Sequence, residues 1–422
     1  MGGSLSLIIM KLLLFVTALI LPNFKYGLTT KFPIQLSNRS TQKATFTPTE
    51  AVKIAELNRP SVQSAFLSVR SAYSTRSADG AYFPFRVEAG KGTLPDFQAG
   101  EDLLLAQPID FFNVVGANRR VGDAAVNASI AALRQTELDV QFQVLVAYAA
   151  AAAAERQLQL AQSQLQIAQL VYDGTKKRTD IGDLPPQQLL IADLDLERAK
   201  AAVQTRTNEQ IAALHRLEGA MGTNLTPGTT FDFAPLPLPS GIVNDRPDIA
   251  SAIAKVQNAQ AQRFVESLTN APTTELQFRR SYFSQPESYN FRVQVVWPIW
   301  DHGVRQNRTK AASLLLSGSK DSLTDLRFQA QKEIESVKAD EASATQSLNS
   351  FRKLEQLALT VVTKEQQGFE LGGATLLDVL SAERSLRDIE QSEVDAQLAQ
   401  ANARAAFYSA YGQLITTKIP QK

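Results

Sequence analysis

The 422-residue sequence predicts a mainly α-helical chain with a small β part, built from two copies of a unit that holds a strand pair and a very long helical hairpin. Three observations predict this. The first is internal self-similarity. Ile181-Gly182 followed by Leu189-Leu190-Ile191-Ala192-Asp193 returns 190 positions on as Leu371-Gly372 followed by Val379-Leu380-Ser381-Ala382-Glu383. Gly219-Ala220-Met221-Gly222 returns as Ser409-Ala410-Tyr411-Gly412, Arg59-Pro60-Ser61-Val62 as Arg246-Pro247-Asp248-Ile249, and Gln107-Pro108-Ile109 as Trp297-Pro298-Ile299. A repeat of this length is a duplicated half-molecule, well above the ~20–50-residue unit of a solenoid. The second is the absence of glycine and proline over 51 residues (Asp123 to Asp173) and again over 49 (Ser319 to Gln367), far longer than a globular helix needs. The third is an alternation of apolar and polar residues just before each of these runs.

The elements follow in order. Residues 1–26 form a signal peptide: Lys11 precedes the apolar run Leu12 to Leu21, which is too short to span a bilayer as a helix. An uncleaved anchor is the alternative, and Met10 suits a start site as well as Met1. There is no cysteine, hence no disulfide and no thiolate nucleophile, and no N-terminal lipid anchor is expected. A net charge of +1 gives no field that would gather nucleic acid. Only His215 and His302 are histidines, so no metal or other cofactor is expected, and no nucleophile–base–acid set or phosphate loop suggests an enzyme.

The first half is expected over residues 45–222, with a helix, a strand pair over 82–112 and the hairpin. A connector over 223–247 carries Pro227, Pro235, Pro237, Pro239 and Pro247 and reads as irregular. The second half, over 248–415, repeats the plan with its strand pair at 275–300, and the whole acts as one domain. In the first rod Leu138, Phe142, Leu145, Val146 and Ala149 keep three-four spacing, and six alanines (Ala149 to Ala154) allow close helix approach. The returning helices are expected at Gln187–Glu218 and Ala374–Tyr411, giving two antiparallel hairpins. Among the strands, Phe83, Phe85, Val87 and Ala89 alternate with Pro84, Arg86, Glu88 and Gly90. Phe291, Val293, Val295, Trp297 and Ile299 do so more cleanly. At about ten residues each, such strands match what a tilted strand needs to cross a bilayer, and Phe83, Phe85, Tyr289, Trp297 and Trp300 suit an interfacial aromatic girdle. A β-hairpin cap in water is the alternative. Four strands cannot close a barrel, and open edges are not tolerated in lipid, so a spanning role forces oligomerisation.

Read together, Arg246-Pro247-Asp248-Ile249, Trp297-Pro298-Ile299-Trp300-Asp301-His302-Gly303, Phe369-Glu370-Leu371-Gly372-Gly373 and Asp378-Val379-Leu380-Ser381-Ala382-Glu383 resemble the TolC-like outer-membrane efflux protein family, with Gln107-Pro108-Ile109 and Asn118-Arg119-Arg120 matching in the first half. The resemblance covers nearly all of the chain after the signal. It implies a homotrimer in the outer membrane of a Gram-negative envelope. Each subunit would give four strands to a twelve-stranded transmembrane β-barrel, and the helices would form an α-barrel across the periplasm. It further implies a passive exit duct that docks to a periplasmic adaptor protein and an inner-membrane pump of the RND or ABC type.

The resemblance also implies site residues. Asp378 matches an acidic gate position, where a ring of carboxylates would favour cations. Ser381 and Gln188 stand where further acids are expected, and Phe369 stands where the closing network has a hydroxylated aromatic, so that network is not reproduced. A helix-start acid beside Thr375 is the plain reading of Asp378. The tip turns Ile181-Gly182-Asp183-Leu184 and Leu371-Gly372-Gly373-Ala374-Thr375 match the positions that meet the adaptor; turns needing positive φ explain them equally well. Arg246-Pro247-Asp248 reads mainly as a helix start with local pairing. The competing classes are an exported structural coiled-coil protein without channel activity and, more remotely, a periplasmic adaptor. The substrate is not legible.

Overall fold

In chain order the computed structural model contains β1 (Thr45–Phe46), α1 (Pro48–Asn58), α2 (Pro60–Asp79), β2 (Arg86–Thr93), β3 (Ala99–Ile109), α3 (Val114–Asp180), α4 (Pro186–Met221), β4 (Thr230–Phe231), α5 (Pro247–Ser267), β5 (Thr273–Ser281), β6 (Ser288–Val296), α6 (Val304–Glu370) and α7 (Leu376–Tyr411). It describes residues 45–93, 99–182, 184–226, 228–231, 233, 236–239, 246–281, 288–371 and 373–415. The expected signal segment at 1–26 lies outside these, as do Asp183, Gly372, parts of the connector and the strand-pair turns.

The duplication is visible as geometry. Both rods, α3 and α6, are 67 residues long, and both returning helices, α4 and α7, are 36. Each element of the second hairpin starts 190 positions after its counterpart. At about 1.5 Å rise per residue a rod spans roughly 100 Å. The rods outrun the glycine-free stretches at both ends. A single glycine costs only about 1 kcal/mol in a helix, which tertiary packing overrides. At Gly122 the packing requires it, because a Cβ there would sit 2.9–3.0 Å from Arg76.

Along each rod two shorter helices pack in succession: α2 and α4 on α3, and α5 and α7 on α6. Their ends meet in joints built twice from the same parts. Met221 and Tyr411 end the returning helices, and Gly222 and Gly412 follow with φ of +70° and +66°. Such left-handed C-caps favour glycine. Arg-Pro then opens the next short helix. In the first joint the Arg59 guanidinium donates to the Gly219 carbonyl (2.8 Å) and to the Gln143 side chain (3.1 Å). In the second Arg246 donates to the Ala410 carbonyl (2.9 Å) and pairs with Glu333 (2.8 Å), the repeat equivalent of Gln143, as well as with Asp248 (2.8 Å). Gly412 is also sterically required: a Cβ would lie 2.9 Å from the Arg246 Cα. The local pairing expected of Arg246 is present, but it is one part of a clamp between distant segments.

The core sits at the first joint. Val52 and Ala55 of α1 bury together with Val144, Tyr148, Leu217 and Met221. Phe46, Tyr148 and Phe231 form an edge-to-face cluster there, and the Tyr148 hydroxyl donates to the Phe46 carbonyl. Short parallel pairing of β1 with β4 brings the connector onto this core. Further along, the connector rests on α7 through the Leu236 and Pro237 carbonyls, which accept from Arg404 and Tyr408.

The two strand pairs form one antiparallel sheet in the order β2-β3-β5-β6, joined between the halves by the β3–β5 ladder. The chain is therefore mainly helical with a small antiparallel sheet. The strands are shorter than expected at two ends. β2 starts at Arg86 and β6 stops at Val296, leaving Phe83, Phe85, Trp297 and Trp300 just outside the ladders. Pro84 and Pro298 sit at these boundaries, where a missing N–H ends strand pairing.

Candidate functional site

Strand register sorts the sheet into two faces, since directly paired residues share a side. On one face Val87, Leu105, Phe278 and Phe291 form an unbroken apolar row across all four strands. Neighbouring rows on that face read Ala89, Leu103, Arg280, Tyr289 on one side and Gln107, Leu276, Val293 on the other, apolar but for Arg280 and Gln107. Phe291 is 71% exposed, and Val87, Tyr289, Val293 and Val295 are exposed with it. On the opposite face the rows read Arg86, Ala106, Gln277, Arg292 and Glu88, Leu104, Arg279, Asn290. That face carries a polar lattice. Arg86 pairs with Glu88 (2.9 Å) and Glu275 (3.2 Å), Gln277 donates to Glu275 (2.9 Å), and Arg292 donates to Gln277 (2.8 Å) and Gln294 (3.3 Å). A sheet with one mainly apolar face and one polar face fits lipid on one side and water on the other. The outer edges of β2 and β6 have no strand partner among the described residues.

Of the expected girdle aromatics, Tyr289 lies on the apolar face, stacked at 6.2 Å on Phe278 with the Arg280 guanidinium over its ring. Trp297 and Trp300 are exposed on the segment leading into α6, and the Trp300 indole donates to His302 (3.1 Å). Phe85 is exposed and Phe83 half-buried in the segment before β2.

Where strands become rods, an aspartate caps each helix. Asp110 accepts from the backbone N–H of Val114 (2.8 Å) and Val115 (2.9 Å). Asp301 accepts from Gly303 (3.0 Å) and Arg305 (3.0 Å), with Asn270 donating to it as well (2.9 Å). The backbone bonds, that from Arg305 first, hold the Asp301 carboxyl below its usual range. Sequence reading missed this pair, although an aspartate a few residues ahead of a long helix was the available signal. A depressed carboxyl stabilises the fold above its unfolded pKa, and that contribution is lost as pH falls through the folded value. Replacing Asp301 with alanine should therefore speed amide exchange in the first turn of α6 several-fold at neutral pH. The difference from wild type should shrink on acidification below about pH 4.

At the far end of the hairpins stand the tips. In the first, Ile181 is 79% exposed, Gly182 turns with φ of +79°, and Leu184 is half-buried. Gln188 is half-buried, and its side-chain carbonyl oxygen is buried with no hydrogen-bond partner among the described residues. In the second tip Leu371 is 87% exposed, and the Gly373 and Ala374 amides both donate to the Gly368 carbonyl. Phe369 lies in the last turn of α6.

Thr375 caps α7, and Asp378 closes a reciprocal box with it. Asp378 Oδ2 accepts from the Thr375 amide (2.9 Å) and hydroxyl (2.6 Å), and the Asp378 amide donates back (3.3 Å). The Thr375 hydroxyl, then its backbone N–H, lower the Asp378 pKa, so the carboxylate is ionised at neutral pH. The helix-start role is thus present in full. It leaves Oδ1 without a hydrogen bond among the described residues and the side chain exposed, so a charge at the tip is compatible with it. Ser381 is exposed one turn on. Sequence reading also missed the bonds between hairpins: Arg384 pairs with Asp195 (2.9 Å), and Gln157 donates to Asp395 (3.1 Å). Asp195 and Arg384 occupy nearly equivalent repeat positions, a signal that pairing across the halves would have used.

Among the described residues no helix is long and apolar enough to cross a membrane, and no cluster of three or more histidine or acidic side chains could hold a metal ion.

Comparison with known proteins places this architecture. The family described as "Outer membrane efflux protein" matches residues 97–223 and 238–413. The pyoverdine export outer membrane protein OpmQ of Pseudomonas aeruginosa is 26% identical over 242 residues, which is 54% of this chain and 48% of that protein. The match thus spans about half the length of that relative. OpmQ of Pseudomonas putida is 26% identical over 343 residues, 74% of this chain and 70% of the relative. Among solved structures, CusC superposes with a TM-score of 0.74 at 19% identity, covering 90% of this chain and 96% of its own. The outer membrane protein VceC of Vibrio cholerae gives 0.71 at 18% identity, covering 87% and 96%. At such identities these two likenesses speak for the fold.

Proposed function

The chain belongs to the outer membrane efflux protein family, and from that premise we propose that it is a passive exit duct of a tripartite export system. In this reading three copies pool their sheets into one twelve-stranded barrel in the outer membrane, and their helical hairpins extend as a tunnel through the periplasm. The single observation that carries the reading is the sheet: one mainly apolar face, one polar face and two edges without a strand partner among the described residues. Such a sheet is unstable alone in either water or lipid, and closure with two further copies satisfies both faces and both edges. The same observation disfavours an exported coiled-coil protein, which has no use for an exposed apolar β-face.

The tip turns around Gly182 and Gly373 are then the surfaces that meet a periplasmic adaptor, which links the duct to an inner-membrane pump of the RND or ABC type. Gate residues are proposed at the same end, with Asp378 as a threefold carboxylate ring and Ser381, Gln188 and Phe369 near it. The duct performs no chemistry and takes no cofactor, and its substrate is chosen by the pump.

Two experiments test this. The expressed protein should fractionate with outer membranes and conduct ions when inserted into a planar bilayer; a water-soluble product without conductance contradicts the reading. For the gate, Asp378→Asn keeps an acceptor for the Thr375 cap but removes the charge. It should move the potassium-to-chloride permeability ratio toward unity, read as a shift in reversal potential. An unchanged potential removes Asp378 from the gate.

A further inference from the structure

We propose that a groove on the outer wall of the tunnel, just beneath the sheet, holds the headgroup of an anionic phospholipid of the periplasmic leaflet. The inference rests on the proposed duct, whose outer wall the groove occupies.

The groove lies between α3, α5 and α6, with a volume of about 520 Å³. Buried Ala124 and Ala261 keep it open at the floor, and Arg120, Gln260, Arg263, Phe264 and Thr309 line it. Which way it opens follows from spacing along α3, where residues seven apart share a face of the packed helix. Twenty-one positions on from Arg120 stands Gln141, which holds the C-terminal segment at Gln413 and Ile415. The same step from Asp123 leads to Val144, buried with α1. The groove, α1 and the C-terminal segment thus share one face of the helix layer. A tunnel keeps such added material off its lumen, so this face is the outer one. Lys255, half a turn round α5 from Phe264, lines a separate cavity on the opposite face. The layer runs α2, α3, α5, α6, so neighbouring copies at its two edges leave the groove uncovered.

Height and charge then select the ligand. Arg120 and Thr309 sit within about 9 Å of the rod starts at Val114 and Val304, directly below loops that expose Phe111, Phe112, Ile299 and Trp300. A headgroup layer is roughly 5–7 Å deep, and an arginine stem reaches the remaining distance. The Arg120 guanidinium lies 5.4 Å over the Phe264 ring, which positions it without neutralising it. Two carboxylates stand nearby and both are already bonded. Asp123 pairs with Arg76, and Glu266, one turn from Arg263, accepts from the Thr269 hydroxyl (3.2 Å). Neither forms an ion pair with Arg120 or Arg263 among the described residues. Even with Glu266 included, three arginines stand against two carboxylates. Further up, Asp110 and Asp301 are taken up by the capping bonds of the rods, with Arg305 beside Asp301. Two guanidinium groups beside the Gln260 amide and the Thr309 hydroxyl suit a phosphodiester followed by an uncharged polar group. A zwitterionic headgroup would bring its own ammonium against the arginines.

The test is native mass spectrometry of the full-length protein in detergent, titrated with phosphatidylglycerol or with phosphatidylethanolamine of the same acyl chains. Three phosphatidylglycerol molecules per trimer should bind, in preference to phosphatidylethanolamine. Arg120→Gln combined with Arg263→Gln should weaken phosphatidylglycerol about thirtyfold, since each cation near an anionic lipid is worth about a factor of five. Lys255→Gln, on the opposite face, should leave it unchanged. Wild-type protein without a preference between the two lipids overturns the proposal, as does a double variant that binds like wild type. The wild-type comparison decides alone should the double variant fail to assemble. Displacement of the lipid by excess inorganic phosphate would make this a site for free anions and overturn the lipid reading as well. A protein that stays monomeric would instead overturn the duct on which the outward face depends.

Discussion

Arginine in place of Phe291 should prevent the protein from accumulating as a membrane-embedded trimer, whereas arginine one residue earlier, at Asn290, should be tolerated. The two positions are adjacent on β6 and point to opposite faces of the sheet. Phe291 belongs to the continuous apolar row with Val87, Leu105 and Phe278. A lysine or arginine on the lipid face near the bilayer midplane costs about 2–4 kcal/mol per copy, hence roughly 6–12 kcal/mol in a trimer. Asn290 lies on the polar face directly opposite Arg279, where an added cation meets water and one like charge, and the cost is within about 1 kcal/mol. The check is the heat-modifiable trimer band in outer-membrane fractions of the two variants. Equal behaviour of the pair would mean that the faces are not distinguished by their solvent.

The second large effect concerns the helix joints. Replacing Arg246 with alanine should destabilise the protein by about 2–3 kcal/mol, and replacing Arg59 by about 1 kcal/mol. Arg246 is 8% exposed and holds a helix-end carbonyl and two carboxylates, so its loss removes charge-assisted bonds. The figure stays below the 3–5 kcal/mol typical of a fully buried pair because Glu333 and Asp248 are partly exposed and regain water. Among the described residues the Arg59 guanidinium makes two neutral hydrogen bonds and no ion pair. Lysine at 246 should fall between, keeping the charge but losing the planar fork. Thermal unfolding followed by circular dichroism ranks the variants. Equal losses at the two joints, or none at 246, would remove the ion pairs from the explanation.

Much of this architecture was readable in the residues. The rods were legible because nothing in them breaks a helix, and the duplication because paired glycines and prolines recur at one spacing. The alternation on β6 correctly separated Phe291, Val293 and Val295 from Arg292 and Gln294. Other features depend on which segments meet, and local pattern does not encode that. The β3–β5 pairing joins residues of the two halves, and no turn signal connects them. The Arg246 clamp reaches Ala410, 164 positions away, so Arg-Pro-Asp alone showed only its Asp248 part. At the tips the Thr375–Asp378 box was legible because its members are three residues apart. The Asp195–Arg384 pair, 189 apart, was not.

Subunit stoichiometry of the detergent-extracted protein, measured as native mass, tests the central claim most directly. Three copies per particle is the predicted value, because three four-stranded sheets make up the proposed twelve-stranded barrel and close one another's edges. A stable particle containing one copy, with the edges of β2 and β6 still unpaired, would contradict it.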